Sequence, residues 1–279
     1  MLCAVLVMLT FGACQPTSKT QQPDPNFYVF LCFGQSNMEG NAPVEAQDTV
    51  DVPERFQLLS AVDMPNMNRT KGEWSTAVPP LCHEWFGLCP ADYFGRYLVE
   101  NLPEKIRVGV VNVSVGGIDI KGFMPESAAT YAANAADWMK EKFKYYDFNA
   151  YAHLVQMGRL AQQKGVIKGI LLHQGETNTG DETWPDKVKV IYESLLSDLN
   201  LKAEDVPLLA GEVVAASQHG MCSAMNEIID RLPETIPTAY VVSAEDCVPR
   251  DDLLHFSSEG YRQLGRHYGE VMLPLLQKK

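Results

Sequence analysis

The 279-residue chain is poor in positive charge. It holds 23 Lys and Arg against 35 Asp and Glu, which gives a formal net charge of −12. It also contains no cluster of Lys and Arg interleaved with aromatic residues. Because such a surface repels phosphate backbones, nucleic acid is excluded as an expected partner. A polyanionic substrate is equally disfavoured, whereas a neutral polymer or a small ester suits this charge.

The apolar run at the N-terminus, LCAVLVMLTFGA over residues 2–13, is too short to span a bilayer, which takes about 20 residues. Its length fits the core of a signal peptide. The small residues just before Cys14 resemble a bacterial lipobox, in which the cysteine is lipidated. We therefore expect a leader over residues 1–14, a lipid anchor at Cys14, and export to the periplasm or cell envelope. A plain secretory leader and a mis-assigned start codon are the alternatives.

Few cysteines remain once Cys3 and Cys14 are assigned to the leader. Five are left, at positions 32, 82, 89, 222 and 247. In an oxidising compartment Cys82 and Cys89 could close a disulfide around the loop between them. An odd count leaves at least one thiol free, and Cys32, which lies in a strand pattern, is expected to be a small buried hydrophobic residue.

No internal repeat, long linker or charge run divides the chain. Residues 15–25 are polar and rich in Gln, Thr and Pro, as in a flexible tether, so we expect one domain over 26–279. Short apolar runs alternate with segments of helical period, which predicts a three-layer α/β/α sandwich, flavodoxin-like, with a parallel sheet of about five strands. The predicted strands are 27–32, 107–113, 166–173, 207–214 and 238–243, and the predicted helices are 93–102, 132–143, 151–165, 188–199, 221–232 and 259–276.

Polar motifs follow the predicted strands, where a parallel sheet places its active site. GQSNMEG over residues 34–40 puts Ser36 in a turn between glycines, where a nucleophile is exposed and its backbone N–H is free for an oxyanion. The motif is not the G-x-S-x-G elbow of lipases, because Met38 replaces the second glycine. Taken alone, Ser36 is equally consistent with a helix cap.

Two further motifs lack the spacing of better-known sites. Gly116 and Gly117 lie in VSVGGIDIKGF, which lets the backbone approach a ligand but lacks the spacing of a phosphate-binding loop. HQGETNTG places Gln174, an amide donor for an oxyanion, close to Glu176. His173 and Glu176 are also potential metal ligands, but no second His or Cys pair stands nearby at ligand spacing, and we expect no metal.

The loop PRDDLLHFSSEG precedes the last predicted helix. Asp252 stands three residues before His255, a spacing at which a bent loop lets the carboxylate accept a hydrogen bond from one ring nitrogen. The other nitrogen then faces outward as a general base, which a serine nucleophile requires. In isolation the loop also fits a surface histidine beside a capped helix.

Together GQSNM, the VGG turn, HQGE and the D-x-x-H loop resemble the SGNH hydrolases, in particular carbohydrate esterase family six and the sialate O-acetylesterase-like proteins. The resemblance covers nearly the whole chain after the leader. It implies Ser36 as nucleophile, His255 as base and Asp252 as its orienter. It also implies an oxyanion hole from the Ser36 N–H, a glycine N–H of the Gly116–Gly117 turn and the Gln174 amide, with no cofactor. Glu176 remains open as the acidic partner of His255.

The resemblance implies an esterase that removes acetyl groups from a carbohydrate. The compact length of the chain favours acetylxylan or a related glycan as substrate over O-acetylated sialic acid. Another SGNH activity, lipid or thioester hydrolysis, requires a long apolar acyl groove, and the aromatic residues near 84–97 are consistent with either a groove or sugar stacking. A non-catalytic glycan-binding lipoprotein is the alternative from a different class.

Overall fold

The computed structural model describes residues 22–278. Within this range the strands are β1 Phe27–Gly34, β2 Phe56–Leu59, β3 Trp74–Thr76, β4 Arg107–Ser114, β5 Val166–His173, β6 Leu208–Gly211 and β7 Ala239–Val242. The α-helices are α1 Ser36–Glu39, α2 Ala46–Thr49, α3 Pro90–Asn101, α4 Ala128–Asn134, α5 Asp137–Phe143, α6 Ala150–Gln162, α7 Trp184–Asp198, α8 Asn226–Ile229, α9 Leu232–Thr235 and α10 Ser258–Gln277.

The strands form one sheet in the order β3-β2-β4-β1-β5-β6-β7. Every neighbouring pair is parallel except β2 and β3, which are antiparallel. The α/β class and the five predicted strands are confirmed. The sheet is larger than predicted, because the short strands β2 and β3 extend one edge.

The sheet is buried on both faces, as its apolar strands require. In β1, Phe27, Val29, Leu31 and Phe33 point into a core shared with α6 and α7. The alternate residues Phe30 and Cys32 point into a second core shared with α3 and α10. The three layers of the predicted sandwich follow from this period of two. The interpretation of Cys32 as a small buried hydrophobic residue fits this position, where it is fully buried.

The central strand β1 is where the order of the strands switches direction. It pairs with β4 on one side and with β5 on the other. In open parallel sheets a crevice forms beyond the carboxyl ends of the strands at such a switch point. The segments that follow β1, β4 and β5 therefore converge at one place, and they carry three of the motifs found in the sequence.

The helices agree with the predicted segments except in two places. The single helix predicted over 132–143 is two short helices, α4 and α5. The helix predicted over 221–232 is also wrong, because that segment forms a turn of 3₁₀-helix at Ser223–Met225 followed by the short helix α8. In the part of the chain that the structure describes, none of the helices is both long and apolar enough to cross a membrane.

The predicted leader, the lipidated Cys14 and most of the predicted tether lie outside the described residues. The end of the tether lies within them and is already attached to the fold. The Asp24 N–H donates to the Lys164 carbonyl at 2.9 Å, and its carboxylate accepts a hydrogen bond from Arg107 at 3.1 Å. The folded part thus begins slightly before the predicted boundary at residue 26.

The disulfide considered between Cys82 and Cys89 is not formed. All five described cysteines are free thiols. Cys82 Sγ lies 3.4 Å from the Tyr146 hydroxyl, and Cys89 Sγ accepts from the Asn112 amide at 3.7 Å. Both cysteines are buried, and burial raises the pKa of each thiol, that of Cys82 to about 12. They therefore act as small packing residues beneath the site.

The last helix, α10, packs closely against α3, and a glycine allows the approach. A Cβ at Gly265 would lie 2.5 Å from the Pro90 carbonyl oxygen and 2.9 Å from the Phe94 nitrogen. Both atoms belong to the α3 backbone, which has little freedom to move. The position of α10, and of the loop that leads into it, depends on this contact.

We expect Gly265→Ala to destabilise the fold by about 1–3 kcal/mol, the usual cost of overpacking. Helix propensity alone predicts the opposite, since Ala is about 1 kcal/mol better than Gly within a helix. The measurement is thermal or urea unfolding, with Glu270→Ala on the exposed face of α10 as the control. A variant as stable as the wild type would show that the two helices do not depend on the glycine.

Candidate active site

Ser36, His255 and Asp252 form a continuous hydrogen-bonded relay. Ser36 Oγ lies 2.9 Å from His255 Nε2, and His255 Nδ1 lies 2.9 Å from Asp252 Oδ2. Ser36 is the first residue of α1, directly beyond β1, and His255 lies in the loop before α10. The arrangement has the geometry of a nucleophile, a base and an orienting acid.

The sharp turn that carries Ser36 requires glycine at its start. A Cβ at Gly34 would lie 2.0 Å from the His173 carbonyl oxygen, so only a residue without a side chain fits where the ends of β1 and β5 meet. The next N–H, that of Gln35, donates to the same carbonyl at 3.0 Å. Ser36 is therefore fixed against the loop that follows β5.

The Asp252 carboxylate is held in its ionised form. Partial burial raises its pKa, but hydrogen bonds from the His255 N–H, the His255 ring and the Leu254 N–H outweigh burial and lower the pKa to about 2. The two backbone bonds to Oδ1 measure 2.9 and 3.0 Å. With Oδ1 engaged, Oδ2 is left to orient the ring.

Asn37, to which no motif assigned a role, fixes the loop of His255 through its side chain. Its Nδ2 donates to the Leu254 carbonyl at 3.1 Å, and its Oδ1 accepts from the Phe256 N–H at 3.3 Å. These groups flank His255 on both sides. Nδ2 also donates to Glu176 Oε1, and Oδ1 accepts from the Tyr261 hydroxyl at 2.7 Å. The residue beside Ser36 thus positions His255.

Glu176, the other candidate partner of His255, does not contact that ring in the structure. Its Oε1 accepts the hydrogen bond from Asn37 and lies 3.8 Å from His173 Nδ1. The imidazole of His173 is fully buried, and burial lowers its pKa. Of the two acids considered in the sequence, only Asp252 is hydrogen-bonded to His255, and Glu176 supports the site through Asn37.

Backbone donors for an oxyanion come from two segments of the site. Ser36, Gly116 and Gly117 line the same cavity. The Gly116 N–H is directed to the Glu39 carboxylate, whereas the N–H groups of Ser36 and Gly117 donate to no other group among residues 22–278. Gly117 has a φ of +78°, which glycine adopts without strain. The available donors are therefore Ser36 and Gly117.

Gln174 differs from its predicted role as a donor to the oxyanion. Its Nε2 donates to Asn178 Oδ1 at 2.6 Å and lies 3.1 Å from both the Ile118 carbonyl and Gln35 Oε1. Its Oε1 accepts from the Trp184 indole at 2.6 Å, which fixes the orientation of the amide. Because both amide hydrogens face buried acceptors, Gln174 supports the glycine turn from below rather than facing the substrate.

The relay opens into a cavity of about 370 Å³. Its walls combine backbone of the glycine turn with aromatic and charged side chains, namely Gln35, Ser36, Glu39, Asn41, Phe86, Gly116, Gly117, Trp138, Lys142, Glu176, Thr177, Leu254 and His255. Phe86 belongs to the aromatic residues near 84–97 that the sequence offered for substrate binding, whereas Trp138 and Lys142 come from segments without a motif. Only their position in the folded chain brings them to the site.

An ion pair forms one side of this cavity. Lys142 Nζ lies 2.7 Å from Glu39 Oε2, and the Glu39 side chain is 2% exposed. Burial raises the pKa of Glu39, and the Lys142 ammonium opposes that shift. Since Lys142 is the only Lys or Arg lining the cavity, its charge is balanced where a substrate would bind.

Among residues 22–278, no third potential metal ligand accompanies His173 and Glu176. Within the described residues, the one group of three potential metal ligands is Asp246, Cys247 and His267, which includes neither residue. His173 instead bonds through Nε2 to the Glu212 carbonyl at 3.0 Å. The ring acts as a structural support for the end of β5.

Known structures share this fold over most of the chain. A protein from Arabidopsis thaliana is 21% identical, with a TM-score of 0.65, covering 90% of this chain and 99% of that one. NanS is 18% identical, with a TM-score of 0.65, covering 93% and 100%. A carbohydrate acetylesterase from Xanthomonas citri is 19% identical, with a TM-score of 0.64, covering 90% of this chain and 56% of that one. These similarities establish the fold.

The family is established by a match along the sequence itself. Residues 26–274 match the family described as carbohydrate esterase, sialic acid-specific acetylesterase. The matched range contains the whole relay, the glycine turn and the cavity walls described above. The chain therefore belongs to this family of carbohydrate esterases.

Proposed function

We propose that the protein is a serine esterase that removes O-acetyl groups from uncharged carbohydrates, acetylated xylan among them, by a Ser-His-Asp mechanism. The observation that carries the proposal is the relay from Ser36 through His255 to Asp252, which opens into a cavity with free backbone donors. The family supports the class of reaction. The charge and the walls of the cavity support an uncharged carbohydrate as the substrate.

In this mechanism His255 accepts the proton of Ser36 as the hydroxyl oxygen attacks the acetyl carbonyl. The N–H groups of Ser36 and Gly117 stabilise the negative charge that develops on the carbonyl oxygen. His255 then donates the proton to the departing sugar hydroxyl. Water, activated by the same histidine, hydrolyses the acetyl-enzyme and releases acetate.

The balanced charge of the cavity favours a neutral substrate. Lys142 is paired with Glu39, and Glu176 adds a further acidic group to the lining. An anionic sugar would meet no unpaired Lys or Arg among these lining residues. The net charge of −12 on the whole chain acts in the same direction at longer range.

One observation favours O-acetylated sialic acid as a second candidate, besides the description of the family. Arg250 is exposed, and its Nη1 donates to Asn41 Oδ1 at 2.7 Å. Asn41 lines the cavity, so this guanidinium lies just behind the wall. A sialate carboxylate would have to draw Arg250 away from Asn41.

Export and a lipid anchor at Cys14 complete the proposal and rest on the sequence of the leader.

The first experiment is acetate release from acetylated xylan and from O-acetylated sialic acid, with the wild type and Ser36→Ala compared. We expect release from xylan, with turnover about 10⁶-fold lower in the variant, because the loss of a nucleophile leaves only residual catalysis. Release from sialic acid alone would assign the protein to the sialate-specific branch. Equal release by both proteins would exclude Ser36 as nucleophile.

The pH profile separates the roles of His255 and Asp252. Because the pKa of Asp252 is lowered from 3.8 to about 2, its contribution to stability is complete above about pH 4 and is lost as the pH falls toward 2. A loss of activity between neutral pH and about pH 4 should therefore not come from protonation of Asp252. We expect Asp252→Asn to lower kcat by about 10²–10⁴-fold at neutral pH, and its stability deficit to vanish near pH 2.

Rates are measured from about pH 4 to 9, and unfolding is measured at each pH below neutrality. A wild-type rate that stays constant down to about pH 4 would contradict His255 as base. A stability deficit of Asp252→Asn that persists unchanged near pH 2 would contradict the lowered pKa of the carboxylate.

Asn37 is expected to act on turnover through the position of His255. Asn37→Asp keeps the shape and the acceptor oxygen but loses both donors and places a carboxylate beside Glu176. We expect kcat to fall by about 10–100-fold with KM nearly unchanged, as for displacement of a catalytic group. Adding Glu176→Gln supplies a donor to the new carboxylate and should recover part of the loss, a positive coupling in a double-mutant cycle.

Glu176→Gln alone serves as the matched control for this cycle. If the double variant is no better than the product of the two single effects, Asn37 does not act through its bond to Glu176. A change in KM alone would instead place Asn37 in substrate binding.

A further inference from the structure

Exposed aromatic rings lie along one side of the cavity. Trp138 is 58% exposed, Trp85 is 67% exposed and Tyr145 is 45% exposed. Trp138 and Phe86 line the cavity, and Trp85 is the chain neighbour of Phe86. We call Phe86, Trp85, Tyr145 and Trp138 the aromatic strip. Single exposed apolar residues are ordinary, but a contiguous group beside a site marks an interaction surface.

Three rings of the aromatic strip share one buried support, His83, which is 3% exposed. Its ring centroid lies 4.2 Å from that of Tyr145 and 6.0 Å from those of both Trp85 and Phe86. The Trp85 N–H donates to His83 Nδ1 at 3.4 Å. Burial lowers the pKa of His83, so the imidazole stays neutral and keeps this acceptor. The exposed rings are thus held in place before any ligand binds.

The two segments that carry the strip are also tied to the site. The Tyr146 hydroxyl, next to Tyr145, donates to the Ser114 carbonyl at the end of β4 at 3.1 Å. Lys142 Nζ lies 4.7 Å from the centroid of the Phe86 ring while it pairs with Glu39. The strip therefore continues the wall of the cavity and is not a separate patch.

The charges around the strip are balanced. Besides the pair of Lys142 and Glu39, Lys144 lies 2.6 Å from Glu141 and Lys140 lies 3.7 Å from Asp137. Exposed pairs of this kind contribute little to stability, but they offset each positive charge locally. Together with the net charge of −12, they disfavour an anionic polymer or an anionic lipid surface as the ligand.

We propose that the aromatic strip binds the sugar rings next to the acetylated residue in an uncharged oligo- or polysaccharide. The apolar C–H faces of such rings pack on Trp and Tyr, while their hydroxyls remain in water. The strip begins at the cavity wall, so a chain whose acetyl group reaches Ser36 extends over it. This inference rests on the proposed function and adds that the substrate is a chain rather than a single sugar.

The test is the dependence of kcat/KM on chain length, with acetylated xylo-oligosaccharides compared with acetylated xylose. We expect wild-type kcat/KM to rise with length. In Trp85→Ala the ratio of the long to the single-sugar substrate should fall roughly tenfold, as for loss of an aromatic anchor, and Tyr145→Ala should act in the same direction. The matched control is Tyr240→Ala, an aromatic residue that is 39% exposed on the edge strand β7.

A ratio in Trp85→Ala that equals the one in Tyr240→Ala would overturn the inference, as would a wild type without preference for length. The proposed function would survive either result if acetate release still depends on Ser36. If the wild type releases no acetate from any sugar ester, the proposed function fails instead. The strip is then tested by calorimetric titration of unacetylated xylohexaose into Ser36→Ala and into Ser36→Ala with Trp85→Ala, where loss of binding in the second protein supports it.

A second copy of the chain is the competing occupant of the aromatic strip. Light scattering during size exclusion should give the same mass for the wild type and Trp85→Ala. A dimer that dissociates in Trp85→Ala would assign the strip to self-association and overturn the proposal. Because Trp85 is largely exposed, its replacement should leave the unfolding temperature unchanged, which confirms that the variants are folded.

Discussion

The hydrogen bonds of the Asn37 side chain hold the loop of His255 against the segment that carries Ser36. Ser36 and His255 are 219 residues apart in the chain, and they meet at a loop that is not part of the sheet. Leu253, in that loop, has a φ of +54°, which a branched residue adopts only under constraint. The backbone of Leu253 is held by hydrogen bonds with Arg250 and Met221. Asn37 fixes the part of the loop that follows, because both its donor and its acceptor atoms are engaged, on the loop and on residues buried behind it. A buried amide with every partner in place has one orientation and passes that orientation to its neighbours.

Periodicity in the sequence was sufficient for the large elements. The long apolar runs at β1, β4 and β5 could be predicted because a strand buried on both faces leaves a continuous apolar pattern. Strands β2 and β3 have only four and three residues, and no period can be read from so few. The segment 221–232 has a helical period in its letters, but Gly220 and the packing of Met225 against Gly175 favour short turns there. In this segment the local sequence pattern favours one helix, but the tertiary contacts determine the structure that forms.

The types of residue in the site could be predicted from the sequence, but the orientation of their side chains could be predicted less well. Ser36, Asp252 and His255 follow from motifs because each role needs one kind of side chain at a strand end or a bent loop. The direction of the Gln174 amide depends on Asn178 in its own motif and on Trp184 and Ile118, which lie in two other segments. Likewise, whether Asp252 or Glu176 pairs with His255 depends on Asn37, because the Asn37 amide donates a hydrogen bond to Glu176. A list of donors does not specify which donor faces the cavity, because the competing acceptors are brought together only by the fold.

The ion pair of Glu39 and Lys142 connects the catalytic and the binding parts of the cavity. The Glu39 carboxylate is directed at the Gly116 N–H, one residue from a donor for the oxyanion. An unpaired carboxylate at this position would oppose the negative charge that forms on the acetyl oxygen, and its low exposure would strengthen the repulsion. Lys142 cancels that field, while its ammonium also lies over the Phe86 ring where the aromatic strip begins. The cation is thereby paired within the protein, which supports the proposal that aromatic faces and backbone donors recognise an uncharged sugar ester.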